Sequence, residues 1–218
     1  MPDKGKALGI IFDLDGTLWD ATGMAARIWN AVFEAQGLAL RLTARDVREQ
    51  MGKTMEEIGA AFFPELEAAR RDEIMDLLGI QEVLRMHEGG DRLYDGVPEV
   101  LEALAKRHAL SIVSNCQRDY ARTFIRTHGF EKYFSDYEES GRSGMGKADN
   151  IRLVMARNAL SRAVYVGDTE GDMRAAQQAG AAFVFARYGF GAAEGAEYCI
   201  DDIRQLPGLI DRIQQKND

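Results

Sequence analysis

The stretch ALGIIFDLDGTL, residues 7–18, reads as a strand that empties into a polar turn. Ala7–Phe12 is apolar, rich in β-branched and aromatic side chains, and stops at Asp13, the pattern of a strand buried on both faces. Similar runs recur: Leu110–Val113 ends at Ser114, Ala163–Val166 ends at Gly167 and Asp168, and Ala181–Ala186 follows. Stretches of helical period flank each of them. Strands that alternate with helices imply right-handed crossovers and a parallel sheet covered on both sides, so the fold class is α/β. Ligands of such sheets bind beyond the carboxyl ends of the strands, and Asp13, Ser114 and Asp168 are expected to converge on one crevice there.

Between Asp20 and Asp91 the pattern changes. No convincing strand is visible, whereas Met24–Gln36, Thr43–Gln50, Met55–Phe63 and Pro64–Glu88 look helical. Residues 20–91 are therefore expected to form an all-helical insert in a core made of residues 1–19 and 92–218. Thr22 before the first helix, Thr43 with Asp46 as a capping pair, and Gly89 and Gly90 at the exit support those bounds. The segment YDGVPEVLEALAKRH, residues 94–108, then turns at Gly96, starts a helix at Pro98 and returns the chain to the sheet.

The chain has 218 residues, 46% of them hydrophobic, enough to bury a proper core. A net charge of −8 argues against a nucleic-acid or acidic-membrane binder, which needs a basic stripe, but leaves small anionic ligands open. The N-terminal apolar run is short and ends in an acid, fitting neither a signal peptide nor a membrane span. Cys116 and Cys199 lie far apart with no metal-binding spacing, which suits free thiols in a reducing cytoplasm. His87, His108 and His128 show no ligand spacing either.

Four segments carry candidate chemistry. In FDLDGTL, Asp13 and Asp15 fall on the same side of a strand end, Gly16 permits a sharp turn, and Thr17 follows. Two adjacent carboxylates call for a cation, and hard oxygen ligands with room for phosphate oxygens select Mg²⁺ over zinc. In YVGDTEGDMRAAQQAG, Asp168 and Asp172 are four apart across a strand-to-helix junction, and Asp168 is a candidate third metal ligand. Ser114 and Asn115 offer a hydroxyl and an amide to phosphoryl oxygens. The glycine-rich SGRSGMGKADN holds Lys147, a flexible point charge suited to a phosphoryl dianion, with Arg142 as a rival. Each segment alone has a plainer reading: an Asp-Gly turn, a helix cap with a first-turn acid, a second cap, a solvated loop lysine. Their company at four strand ends and loops strengthens the functional one.

Taken together, these motifs resemble the haloacid-dehalogenase superfamily, phosphoglycolate-phosphatase-like, over nearly the whole chain: DxDGT at Asp13–Thr17, a strand-final Ser114, Lys147, and GDxxxD at Gly167–Asp172. The resemblance implies a Rossmann-like three-layer core with a central parallel sheet and an inserted helical cap. It implies Asp13 as nucleophile, Asp15 as general acid and base, and Mg²⁺ held by Asp13, Asp168 and the main-chain carbonyl of Asp15, with Asp172 supporting the metal site. It implies phosphoryl binding by Gly16, Ser114, Asn115 and Lys147. The expected activity is Mg²⁺-dependent hydrolysis of a small phosphorylated metabolite through an aspartyl-phosphate, with no nucleic-acid or membrane partner, by a monomer or homodimer. Trp19 past the hinge and Lys53 in the GKT break are candidate substrate contacts, and the RYGFG and IDDIRQLPGLI segments resemble the endings of phosphoglycolate phosphatases. The chain departs from the family pattern at GKAD, where a KP pairing is frequent, and Glu170 adds a charge near the metal. A phosphomutase of the β-phosphoglucomutase type and a non-catalytic phosphate-binding protein are the alternatives. Thr17 favours hydrolysis over the mutase, and Asp15 argues against a dehalogenase.

Overall fold

In the computed structural model, which describes residues 8–88 and 92–216, the opening strand is β1, Leu8–Phe12, buried along its whole length. The chain continues through β2 (Trp19–Asp20), α1 (Thr22–Ala35), α2 (Ala44–Arg48), α3 (Met55–Phe62), α4 (Ala68–Arg85), β3 (Arg92–Leu93), α5 (Val97–Ala105) and β4 (Ala109–Ser114). It ends with α6 (Tyr120–Thr127), β5 (Phe134–Glu139), α7 (Ser140–Ser143), α8 (Lys147–Arg157), β6 (Arg162–Gly167), α9 (Glu170–Ala179), β7 (Ala182–Ala186), β8 (Tyr198–Ile200) and α10 (Leu206–Lys216). Six strands form one sheet in the order β5-β4-β1-β6-β7-β8, with every neighbouring pair parallel.

The three layers follow from the alternation of side chains along each strand. Ile10 and Phe12 of β1, with Val164 and Val166 of β6, pack on one face against α5, α6 and α10. Ile11, Ala163 and Tyr165 point the other way, onto Ile151 and Val154 of α8 and Ala175 and Ala176 of α9. This is the covered parallel sheet that the sequence predicts, with two further strands, β5 and β8, that it does not reveal. β8 has only three residues, and the edge strand β5 carries Asp136, Glu138 and Glu139, acids that mask a strand pattern. They are tolerated because Arg157 bonds Asp136 and Glu138, and backbone N–H groups of Asp119 and Ala121 donate to Glu139 at 2.7 Å.

The helices α1–α4 lie between β2 and β3, which pair antiparallel as a two-stranded ribbon at the root of the insert. Val32, Phe33 and Trp29 of α1 are buried, and Phe33 stands edge-on to Phe63 at 5.3 Å. The Thr43–Asp46 capping box forms as the sequence suggests, and Thr54 and Glu57 form a second. Two local expectations change. Thr22 does not cap α1 but is itself its first residue, and Asp20 Oδ1 accepts from the Thr22 N–H at 3.0 Å and hydroxyl at 2.6 Å. Helix α4 starts at Ala68 rather than Pro64: the residue before the proline, Phe63, leaves helical geometry and ends α3, Leu66 N then donates to Phe63 O at 3.2 Å in a turn, and Glu67, at ψ 144°, stands outside the helix as its N-cap. The expected strand residue Ala7 and exit glycines Gly89 and Gly90 lie outside the described residues. Among the described residues no helix is long and apolar enough to cross a membrane.

Candidate active site

Asp13 is carried to the sheet edge by the strand itself: its N–H donates to Val166 O at 2.9 Å, extending the β1–β6 ladder one residue past β1. The chain then turns tightly, with Thr17 N and Leu18 N both donating to Leu14 O. Gly16 sits at φ +86°, and a Cβ there would lie 2.2 Å from Asp168 Oδ2, so both conformation and space require glycine. Its N–H donates to Trp19 O at 2.9 Å. The Gly16 amide is thus engaged within the turn rather than presented to a phosphate.

Asp168 follows β6 in the same way, next door to Asp13. One carboxylate oxygen from each of Asp13, Asp168 and Asp172 lies within 4.8 Å of the other two. Asp172 accepts through Oδ2 from Asp168 N, Thr169 N and Thr169 Oγ1, while its Oδ1 takes Lys147 Nζ at 2.6 Å. Lys147, the first residue of α8, also donates to Asp13 Oδ1 at 3.1 Å. Asp168 Oδ2 accepts the Phe190 N–H at 2.7 Å, and the chain passes so close there that a Cβ on Gly189 would lie 2.5 Å from Gly16 O.

The electrostatics follow from burial. Asp13, Asp168, Asp172 and Lys147 are all buried. Burial pushes Asp13 above the ordinary carboxylate range against the pull of Lys147, and burial with the neighbouring Asp172 and Asp13 does the same to Asp168. Burial alone would lower Lys147, but Asp13 and Asp172 outweigh it and hold the ammonium charged. One lysine against four acids, counting Asp15, leaves negative charge uncompensated, and the donors are all oxygen. That set fits a hard divalent cation. Asp172 Oδ2 takes three donors and its Oδ1 the Lys147 ammonium at 2.6 Å, whereas Asp168 Oδ1 meets only the Thr17 hydroxyl at 3.5 Å, so Asp13 and Asp168 are the carboxylates placed to hold one, with Asp172 fixing Lys147 and the β6–α9 turn.

Asp15 is half-buried beside them, and Tyr120 OH donates to its Oδ1 at 3.2 Å. Burial, followed by the charge of Asp13 and then of Glu82, raises its pKa well above the usual value. Asp13, Asp15, Ser114, Asn115 and Lys147 line one cavity of about 50 Å³. The insert supplies its other wall, including Gly52, Lys53 and Glu82. A groove of about 750 Å³ runs alongside, beyond Asn115 and Gln117, but contains none of the acids Asp13, Asp15 and Asp168. Insert and core touch directly: Asn115 Nδ2 donates to Gly52 O at 2.9 Å, and the Arg48 guanidinium lies 4.7 Å from the centre of the Phe190 ring.

Some sequence candidates fall elsewhere. Trp19 is fully buried against Tyr120 and Phe124 at the hinge, outside the cavity, because its large ring packs the root of the insert. Lys53 does reach the rim, exposed, with Nζ bonded to Gln50. Arg142, the rival to Lys147, is bound to Glu138 on β5. Glu170 pairs with Arg174 on the exposed face of α9. Sequence reasoning missed Tyr120, Glu82, Gln117 and the Phe190 amide. Of these, only Phe190 carried a signal, the glycines flanking it in RYGFG.

A parallel α/β sheet that gathers three acids and a lysine beyond adjacent strand ends, beneath a helical insert, defines the haloacid-dehalogenase kind of hydrolase. The chain belongs to the haloacid dehalogenase-like hydrolases, whose family profile matches residues 10–186. It is 28% identical over 190 residues to a phosphoglycolate phosphatase of Xanthomonas campestris, covering 83% of each chain. It is also 28% identical over 221 residues to the N-acetylmuramic acid 6-phosphate phosphatase of Pseudomonas aeruginosa, covering 93% of this chain and 94% of that one. A haloacid dehalogenase-like hydrolase from Streptococcus pneumoniae shares the fold, with a TM-score of 0.80 at 22% identity over 94% of this chain and 98% of its own.

Proposed function

We propose that the chain is a Mg²⁺-dependent phosphatase that hydrolyses a small phosphorylated metabolite through an aspartyl-phosphate on Asp13. The observation that carries this reading is the meeting of Asp13, Asp15, Ser114, Asn115 and Lys147, from separate segments, around one small cavity. In the first step a carboxylate oxygen of Asp13 attacks phosphorus in line, the bond from phosphorus to the leaving oxygen breaks, and Asp15 gives that oxygen its proton. In the second, water attacks phosphorus while Asp15 takes its proton, the bond from phosphorus to Asp13 breaks, and inorganic phosphate leaves. Burial favours the protonated acid that the first step needs, and the Tyr120 hydroxyl orients it.

Ser114 Oγ and Asn115 Nδ2 would donate to the phosphoryl oxygens, and Lys147 would offset their charge while keeping Asp13 in place. Asp13, Asp168 and the main-chain carbonyl of Asp15 would hold Mg²⁺, which when bound supplies charge that lessens repulsion between the anionic nucleophile and the phosphate. Residues 20–91 act as a cap domain on a core of residues 1–19 and 92–218, and the insert's wall of the cavity excludes water. The phosphatase relatives support a phosphorylated small molecule as substrate, acted on in the cytoplasm by a monomer or homodimer. Release of phosphate from p-nitrophenyl phosphate with and without Mg²⁺ tests the class. In Asp13→Asn, turnover falls more than about a thousandfold while the melting temperature holds; substantial remaining activity would overturn the nucleophile.

A further inference from the structure

Glu82 does not belong with its neighbours on α4. That helix buries Ile74, Met75 and Leu78, and one turn beyond Leu78 the same face carries a carboxylate that is only 4% exposed. A buried acid is costly unless hydrogen-bonded. Here Trp29 Nε1 donates to Oε1 at 2.7 Å, and Gln117 Nε2, from the core, donates to Oε2. Two donors leave a carboxylate with acceptor capacity to spare. The same side chain forms part of the wall around Asp13, Asp15 and Lys147. The hydrolytic chemistry makes no use of it.

Its position tells what it meets. Asp15 delivers the proton to the departing oxygen, so the leaving group lies on the Asp15 side of the phosphoryl group. Glu82 is on that side, near enough to Asp15 and Tyr120 for its charge to raise both. The lysines of the cavity are engaged elsewhere, Lys147 between Asp13 and Asp172 and the exposed Lys53 with Gln50.

We infer that Glu82 sets the class of substrate: the leaving group presents a hydroxyl or an ammonium near its ester oxygen, and a leaving group with a carboxylate there is rejected. A donor would complete the lone pairs of Glu82, whereas a second carboxylate would face it in a desolvated space without a cation between them. Phosphorylated polyols, sugars and amino alcohols belong to the accepted class. Phosphoglycolate, the substrate in the name of one relative, belongs to the other. The inference rests on the phosphatase reading.

The test compares kcat/KM of the full chain with Mg²⁺, at about pH 8 where Glu82 is ionised, for three substrates of similar size. These are phosphoethanolamine, glycerol 1-phosphate and 2-phosphoglycolate. In the wild type the first two exceed the third by at least roughly tenfold, and in Glu82→Gln the three come within about threefold of one another. Equal turnover of 2-phosphoglycolate by the wild type overturns the inference, as does a Glu82→Gln variant in which all three fall together at unchanged ratios, since Glu82 would then only tie α4 to Gln117. The wild-type ranking needs no variant to fold. Absence of hydrolysis of all three and of p-nitrophenyl phosphate would instead overturn the phosphatase reading beneath it.

Discussion

The sheet edge and the helical insert both bring charge to one cavity, and they do so by different routes. At the sheet edge a charged group stands where regular hydrogen bonding runs out: Asp13 one residue past β1, Asp168 one past β6, Lys147 at the start of α8. Each place is defined within a few residues of chain, and the acids and the lysine restrain one another at 2.6 and 3.1 Å. The insert contributes Glu82 from inside a helix, so its arrival in the cavity depends on how α4 is rotated and where it docks, fixed by Trp29 on α1 and Gln117 on the core. The charged groups of the sheet edge are thus encoded locally, while Glu82 of the insert is placed by packing.

At the sheet edge the largest effect is expected at Lys147. Lys147→Met leaves Asp13 and Asp172 buried without their shared cation, and a loss on the order of 3–5 kcal/mol is expected in urea unfolding with a chelator present. Stability within error of the wild type would mean that the sheet-edge acids do not depend on one another.

Glu82 sharpens the other side. Burial raises its pKa from 4.5 to about 7. The unfolded chain therefore gives up this proton at lower pH than the folded one, so the stabilising difference is complete below about 4.5 and is lost as pH rises through about 7. Glu82→Gln removes the effect, and the amide of Gln117 can turn to pair with the new one. Relative to the wild type, the variant should gain stability on the order of 3 kcal/mol between about pH 4.5 and 8. Parallel stability curves for the two proteins would show that Glu82 is not buried as an acid.

The smallest effect belongs to Lys53, exposed at the cavity rim and held by Gln50. Lys53→Ala is expected to raise KM for a phosphorylated substrate by about threefold with kcat unchanged, the size of an exposed charge contact. An unchanged KM removes Lys53 from the substrate's surroundings and leaves Glu82, among the described residues, as the insert's one charged side chain in the cavity wall.

How much of this was legible depended on whether a signal was local. Asp13, Ser114 and Asp168 end apolar runs, so their meeting at one edge of the sheet could be read from uninterrupted apolar stretches and the polar residues that stop them. Glu170 sits in the same motif as Asp168 and Asp172 and is expected to add charge near the metal, yet the turn of α9 sends it out to Arg174 and the solvent. Trp19 lies two residues past the DxDGT motif, and its size decides its place in the hinge packing rather than at the substrate. Tyr120 carries no mark at all: its hydroxyl reaches Asp15, 105 residues away in the chain, only because α6 packs between β5 and α4.

By itself the sequence determined the covered parallel sheet, the run of helices between Thr22 and Arg85, and the acids and lysine gathered at the strand ends, because hydrophobic periodicity and strand termination are properties of neighbouring residues. Only the tertiary structure decided that Gly16 spends its amide on its own turn, that Phe190 clamps Asp168, and that Glu82 looks into the cavity. Those outcomes depend on the rotation and docking of whole elements against one another, and such long-range packing leaves no periodic trace in a chain read residue by residue.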